Sequence, residues 1–148
     1  MAIRYSTEVK WGELVFDTQH TFQIEDALQL RTDSTATDYN GRMGDPKWTG
    51  NASLQLINND WTYYWGVQMI GEASNHDTYG GDMASYRGTP VRVVLEAPSV
   101  MYHNLSVTRA FPDQKMVARF GVNNVMGKKP PRLTTLNLGQ VNTEGNSA

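Results

Sequence analysis

Apolar and polar residues alternate along this chain with a period of two. In ASLQLINNDWTYYWGVQMIG, residues 52–71, two such runs meet at Asn58-Asn59-Asp60. Tyr63, Trp65, Val67 and Met69 share one face of the second run; Thr62, Tyr64, Gly66 and Gln68 share the other. Successive side chains of a strand point to opposite faces, so the pattern predicts strands and not helices. IRYSTEVK, residues 3–10, alternates in the same way, with Ile3, Tyr5, Thr7 and Val9 opposite Arg4, Ser6, Glu8 and Lys10. Trp11-Gly12-Glu13 reads as a tight turn, because glycine accepts positive φ.

The alternation resumes over residues 14–30. Leu14, Phe16, Thr18, His20, Phe22 and Ile24 lie on one side, and Val15, Asp17, Gln19, Thr21, Gln23 and Glu25 on the other. A third strand is expected from Lys47 to Ile57, with Trp48, Gly50, Ala52, Leu54 and Leu56 together. A fourth covers 61–70, a fifth about 99–110 and a sixth about 115–126, the last two joined at Pro112-Asp113-Gln114. On the sixth, Met116, Ala118, Phe120 and Val122 oppose Val117, Arg119, Gly121 and Asn123. The expected fold is therefore all-β, an antiparallel up-and-down meander of about six long strands across residues 1–148.

The connections alternate short and long. Residues 31–46 and 71–98 are polar and rich in turn residues, and the piece 91–96 fits a short continuation of a strand. From Gly127 to Ala148 there is no periodicity. Short turns on one side and long loops on the other are the habit of outer-membrane barrels. Strands of about 10 residues also match a tilted membrane strand better than the ~5–6 of soluble sheets. Trp11, Trp61 and Phe111 abut short turns, and Trp48 begins a strand at a long-loop end, the places where barrels carry aromatic girdles. Asp17 and Glu25, with Arg4, Glu8 and Arg119, lie on the polar faces. A sandwich core does not tolerate such charges without partners, so they are assigned to a wet lumen.

Composition bears on this picture in three places. Charged residues make up 19% of the chain, below the roughly 25% of soluble proteins. Net charge is −2 and no stripe of Lys and Arg is present, so no nucleic-acid partner is expected. There is no cysteine, which removes disulfides and cysteine-based zinc sites. The opening MAIRYSTEVKWGE lacks the apolar core of a secretory signal. Taken alone that points to the cytoplasm, against the strand pattern.

Catalytic chemistry is not legible. His20, His76 and His103 have no zinc-type spacing. No nucleophile elbow, phosphate loop or dinucleotide fingerprint occurs. Asp17 and Glu25 are eight residues apart, about 26 Å along an extended strand, too far to act on one bond. The expectation is no enzyme, no cofactor and no metal. His76, Asp77, Tyr79 and Tyr86, with Asp82, gather in the second long loop and are the candidates for contact with a small-molecule ligand. A solvated loop is the plainer reading of the same residues.

Two stretches carry a resemblance. GRMGDPKWTGNASLQLINNDWTYYWGVQMIGEAS, residues 41–74, and MYHNLSVTRAFPDQKMVARFGVNNVMGKKPP, residues 101–131, resemble the C-terminal part of the barrel of TonB-dependent outer-membrane receptors. Residues 135–148, ending in GNSA, are similar to the loop before that family's last strand. The resemblance implies a segment of a 22-stranded transmembrane β-barrel in the outer membrane of a Gram-negative cell. These six strands would be the sixteenth to the twenty-first. It implies outer-membrane lipid, the rest of the barrel and the plug, TonB acting through that plug, and a scarce solute as partners. The solute classes are ferric siderophores, cobalamin and carbohydrates. No plug, TonB box or closing strand is found in these residues, so the chain reads as part of a longer receptor, whose N-terminal region would hold the signal. The alternative is a soluble all-β carbohydrate-binding module with exposed Trp and Tyr stacking on sugars. That alternative requires partners for Asp17 and Glu25, or their full exposure.

Overall fold

The computed structural model describes residues 1–29, 31–76 and 83–132, with the backbone alone at Ala84 and Tyr86. Its strands are β1 (Ala2–Val9), β2 (Gly12–Phe22), β3 (Ala27–Leu28), β4 (Thr37–Asp38), β5 (Trp48–Asn58) and β6 (Trp61–Ile70). They continue with β7 (Ala73–Ser74), β8 (Met83–Tyr86), β9 (Thr89–Arg92), β10 (Glu96–Ala97), β11 (Val100–Phe111) and β12 (Met116–Val122). A 3-10 turn, Pro112–Gln114, separates the last two. The chain is all-β, as the period-two pattern requires.

The six long strands form one antiparallel sheet in the order β1-β2-β5-β6-β11-β12, and the sheet is not closed. Sequence neighbours are sheet neighbours throughout, which is an up-and-down meander. Register keeps the alternating faces together. Ile3 faces Thr18, Tyr5 faces Phe16 and Thr7 faces Leu14 across β1 and β2. Leu105 faces Val122, Val107 faces Phe120 and Phe111 faces Met116 across β11 and β12. Paired residues project to the same side of a sheet, so the alternation of each strand adds to that of the next.

Three boundaries differ from the sequence expectation. The first turn is Lys10–Trp11, not Trp11-Gly12-Glu13: Gly12 already pairs with Val9, and Glu13 pairs with Glu8. Gly12 has φ +128, and a Cβ there would meet the backbone of Ile57, its carbonyl carbon 2.9 Å away. Only glycine allows β2 to start so close to the end of β5.

The second strand ends at Phe22, not near residue 30. Gln23 N–H still reaches Lys47 O at 2.9 Å, but Asn40 Nδ2 then donates to Gln23 O and Ile24 O at 3.0 and 2.8 Å. That side chain occupies the carbonyls a longer ladder would need. Ile24 and Glu25 therefore leave the strand, and Glu25 does not share a strand face with Asp17. The sixth strand ends at Val122, not near 126, because Asn124 turns to φ +50 and its N–H is taken by Asn104 Oδ1 at 2.9 Å.

The chain divides into two units. Met1–Thr21, Thr49–Met69 and Met101–Lys128 carry the sheet; Phe22–Trp48, Ile70–Val100 and residues 129–132 belong to the second unit. In the second unit the long connections form two-stranded ribbons, β3 with β4, β7 with β10 and β8 with β9. Ala73, Val93, Leu95 and Val100 are buried there, and Leu95 is the largest fully buried side chain among the described residues. The piece 91–96 is thus not one continuation of a strand: β9 ends at Arg92, and Glu96–Ala97 pairs separately with β7. The tail beyond residue 132 lies outside the described residues.

Candidate functional site

The feature that sets the sheet apart is its apolar face. Ile3, Tyr5, Leu14 and Phe16 open it on β1 and β2. Ala52, Leu54 and Leu56 of β5 and Tyr63, Trp65, Val67 and Met69 of β6 continue it, and Leu105, Val107, Phe120 and Val122 of β11 and β12 complete it. Contacts between strands confirm the shared side: Trp65 stacks on His103 with centroids 5.9 Å apart and planes 7° apart. A groove of about 410 Å³ crosses this face, lined by Leu14, Leu54, Tyr63, Trp65, Leu105 and Phe120 among others.

Large apolar side chains on the face are uncovered. Phe120 is 75% exposed, Tyr5 62% and Trp65 43%. Full burial of a large apolar side chain is worth about 1.5–3 kcal/mol, and each of these forgoes a share of it that grows with its exposure. Scattered exposed apolar residues are ordinary, but one contiguous face over six strands marks a surface built to meet something apolar.

The opposite face holds the charged residues, together with a few apolar ones such as buried Val15 and exposed Val117. Arg4 stands opposite Asp17 in the register, and Glu8 opposite Glu13. Like charges directly opposed weaken a hairpin, and exposure of Glu8 to water softens that cost. Arg119 Nη2 donates to Ser106 Oγ across β12 and β11 at 3.1 Å. Arg4, Glu8, Asp17 and Arg119 therefore lie on one side of the sheet, while Glu25 is exposed beyond the end of β2.

At the long-connection end His20 belongs to the apolar side. Its Nε2 meets Thr18 Oγ1 at 2.9 Å, and Thr18 Oγ1 also donates to Asn51 O at 3.2 Å. Gly50 makes room for the imidazole: a Cβ there would lie 2.5 Å from His20 Nδ1. His103 Nδ1 is buried and has no hydrogen-bond partner. Its ring is instead flanked by Trp65.

At the short-turn end stands a residue the alternation alone did not flag. Arg109 occupies an apolar-side position of β11, with its Cζ 4.9 Å from the Trp61 ring centroid and 4.6 Å from that of Phe111. Trp61 also stacks on Tyr63 at 6.2 Å with 11° between planes. The signal was present in MYHNLSVTRAF, where Arg109 falls on the same parity as Val107 and Phe111.

Of the ligand candidates in the second long connection, His76 alone has a described side chain. His76 Nε2 lies 3.1 Å from Glu96 Oε1, both exposed to water, 38% and 72%. Such an exposed pair contributes little to stability. Asp77, Tyr79 and Asp82 lie outside the described residues, as does the side chain of Tyr86. A polar cleft of about 490 Å³ runs beside this pair, with Lys47, Glu72, Ser74 and Glu96 on its walls. No group of three or more metal-ligating side chains is found among the described residues.

No family model matches this chain, and no curated protein or solved structure matches it either.

Proposed function

We propose that the chain forms part of the wall of a transmembrane β-barrel in the outer membrane of a Gram-negative cell. The barrel belongs to a receptor of the TonB-dependent kind that imports a scarce solute. The observation that carries this reading is the contiguous apolar face over all six strands, backed by an opposite face that holds the charged residues. Hydrocarbon is the cover that such a face fits, and a water-filled lumen suits Arg4, Glu8, Asp17 and Arg119. The meander's alternation of short turns, of two to four residues, with long connections supports the same orientation, with the long connections outside the cell.

Lipid demands that every backbone N–H and C=O be paired, because each unpaired group costs several kcal/mol in hydrocarbon. The free edges of β1 and β12 are then met by further strands, of the remaining barrel or of a second copy. In water, without lipid or a second sheet, the same edges and face favour aggregation. The protein does no bond chemistry. Its work is capture of the solute at the outer connections, where the polar cleft beside His76 and Glu96 offers both charge signs. Energy reaches the receptor through TonB and the plug, and the solute class is ferric siderophore, cobalamin or carbohydrate.

The test is tryptophan fluorescence of the chain folded into phosphatidylcholine vesicles in which a fraction of the acyl chains is brominated. Trp61 and Trp65 face the apolar side, so bromines in the acyl chains are expected to quench emission strongly. Emission unchanged by brominated lipid, with quenching by aqueous iodide instead, contradicts the reading.

A further inference from the structure

We propose that Arg109 is a binding point for the phosphate of a phospholipid headgroup at the short-turn rim of the apolar face. The proposal rests on the lipid-facing reading above. It deepens that reading by naming one residue and the lipid group it takes.

Arg109 is exposed, and its guanidinium lies over the rings of Trp61 and Phe111 at 4.9 and 4.6 Å. A guanidinium held over aromatic faces keeps N–H donors that can still meet an anion. Among the described residues no carboxylate or carbonyl accepts from those donors; Asp60 and Asp113, in the two neighbouring turns, make no ion pair with it. The cation is therefore held against two rings and, among the described residues, is not paired with a carboxylate.

Its position gives the ligand. Trp61 continues by stacking into Tyr63, which lines the apolar groove, while the turns at 59–60 and 112–115 lie on the other side. Arg109 thus stands where an apolar surface passes into a polar edge. A cation at mid-bilayer is costly, but one near the boundary keeps its stem in the apolar layer and its head at the lipid headgroups. An anion with several oxygens matches the planar fork of donors, and phosphate is the anion found at that depth in a bilayer. Sugar hydroxyls offer no charge to meet it.

The experiment is flotation of the full chain with vesicles, comparing the unaltered protein, Arg109→Gln and Arg109→Lys. One set of vesicles is phosphatidylcholine with phosphatidylglycerol; the other is phosphate-free digalactosyl diglyceride. The unaltered protein is expected to bind the phospholipid vesicles about fivefold better than the galactolipid ones, the effect of one basic residue at a lipid surface. Arg109→Gln loses that preference but keeps the galactolipid binding, which shows that it still folds onto lipid. Arg109→Lys keeps charge without the fork and falls between. Inorganic phosphate added to the galactolipid arm changes nothing. Equal binding to both vesicles by the unaltered protein, or a preference that survives Arg109→Gln, overturns the Arg109 proposal and leaves the lipid-facing reading standing. Binding to neither vesicle overturns both.

Discussion

A histidine on an apolar sheet face needs a local reason to be there, and His20 has two. The Thr18 hydroxyl meets its Nε2 at 2.9 Å, and the absence of a side chain at Gly50 leaves space for the ring. In Gly50→Ala the new Cβ would lie 2.5 Å from Nδ1, 2.9 Å from Cε1 and 3.3 Å from Met69 Cε. The imidazole must then swing away and give up Thr18. The expected cost is about 1–3 kcal/mol, the usual range for overfilling a packed site. Denaturant titration in detergent micelles measures it, and in a His20→Ala background most of the cost should vanish, since neighbouring sites couple. An equal cost in both backgrounds contradicts this account of Gly50. The face of His20 was legible from its parity with Leu14 and Phe16. Its pairing with Gly50 was not, because the register of β2 against β5 is set across a long connection that the alternation does not count.

Among the elements, the long strands were legible and the ribbons were not. Alternation over ten or so residues is a strong signal, whereas β3 and β4 are two residues each and leave no period to read. Side chains reinforce their backbone pairing. Asp38 accepts from Asn40 N–H at 2.9 Å and from Asp26 N–H at 3.3 Å. The Asn40 amide chiefly holds its carboxyl below the ordinary 3.8, against an upward push from desolvation, and the Asp26 amide adds to the lowering. A carboxylate with a lowered folded value contributes stability above its unfolded value and loses it as pH falls through the folded one. The β3–β4 ribbon is thus expected to loosen only below the ordinary carboxylate range. Hydrogen-exchange protection at Asn40 reads this directly: it should fall with acid in the unaltered chain and be low at every pH in Asp38→Ala. Protection that persists through acid would rule out the carboxylate as the clasp. The piece 91–96 was legible as strand-like, but the burial of Val93 and Leu95, with Ala73 and Val100, is announced by no period.

At the scale of the molecule, the order β1-β2-β5-β6-β11-β12 was legible because short turns force neighbours to pair and long connections can return to the adjacent place. Which environment covers each face was not, since the period of a strand is the same under lipid and under a second sheet. Lipid is expected to cover the side bearing Tyr63 and Trp65, and water the side bearing Thr62 and Tyr64. The chain has no cysteine, so single cysteines can be placed along β6 at Thr62, Tyr63, Tyr64, Trp65, Gln68 and Met69 without background. In vesicle-bound protein, those at Thr62, Tyr64 and Gln68 should react with a water-soluble maleimide, while those at Tyr63, Trp65 and Met69 should react only with an acyl-chain-dissolved probe. Equal reaction of both sets with the water-soluble reagent, or protection of the Tyr63, Trp65 and Met69 positions in dispersed, lipid-free protein, would contradict the claim.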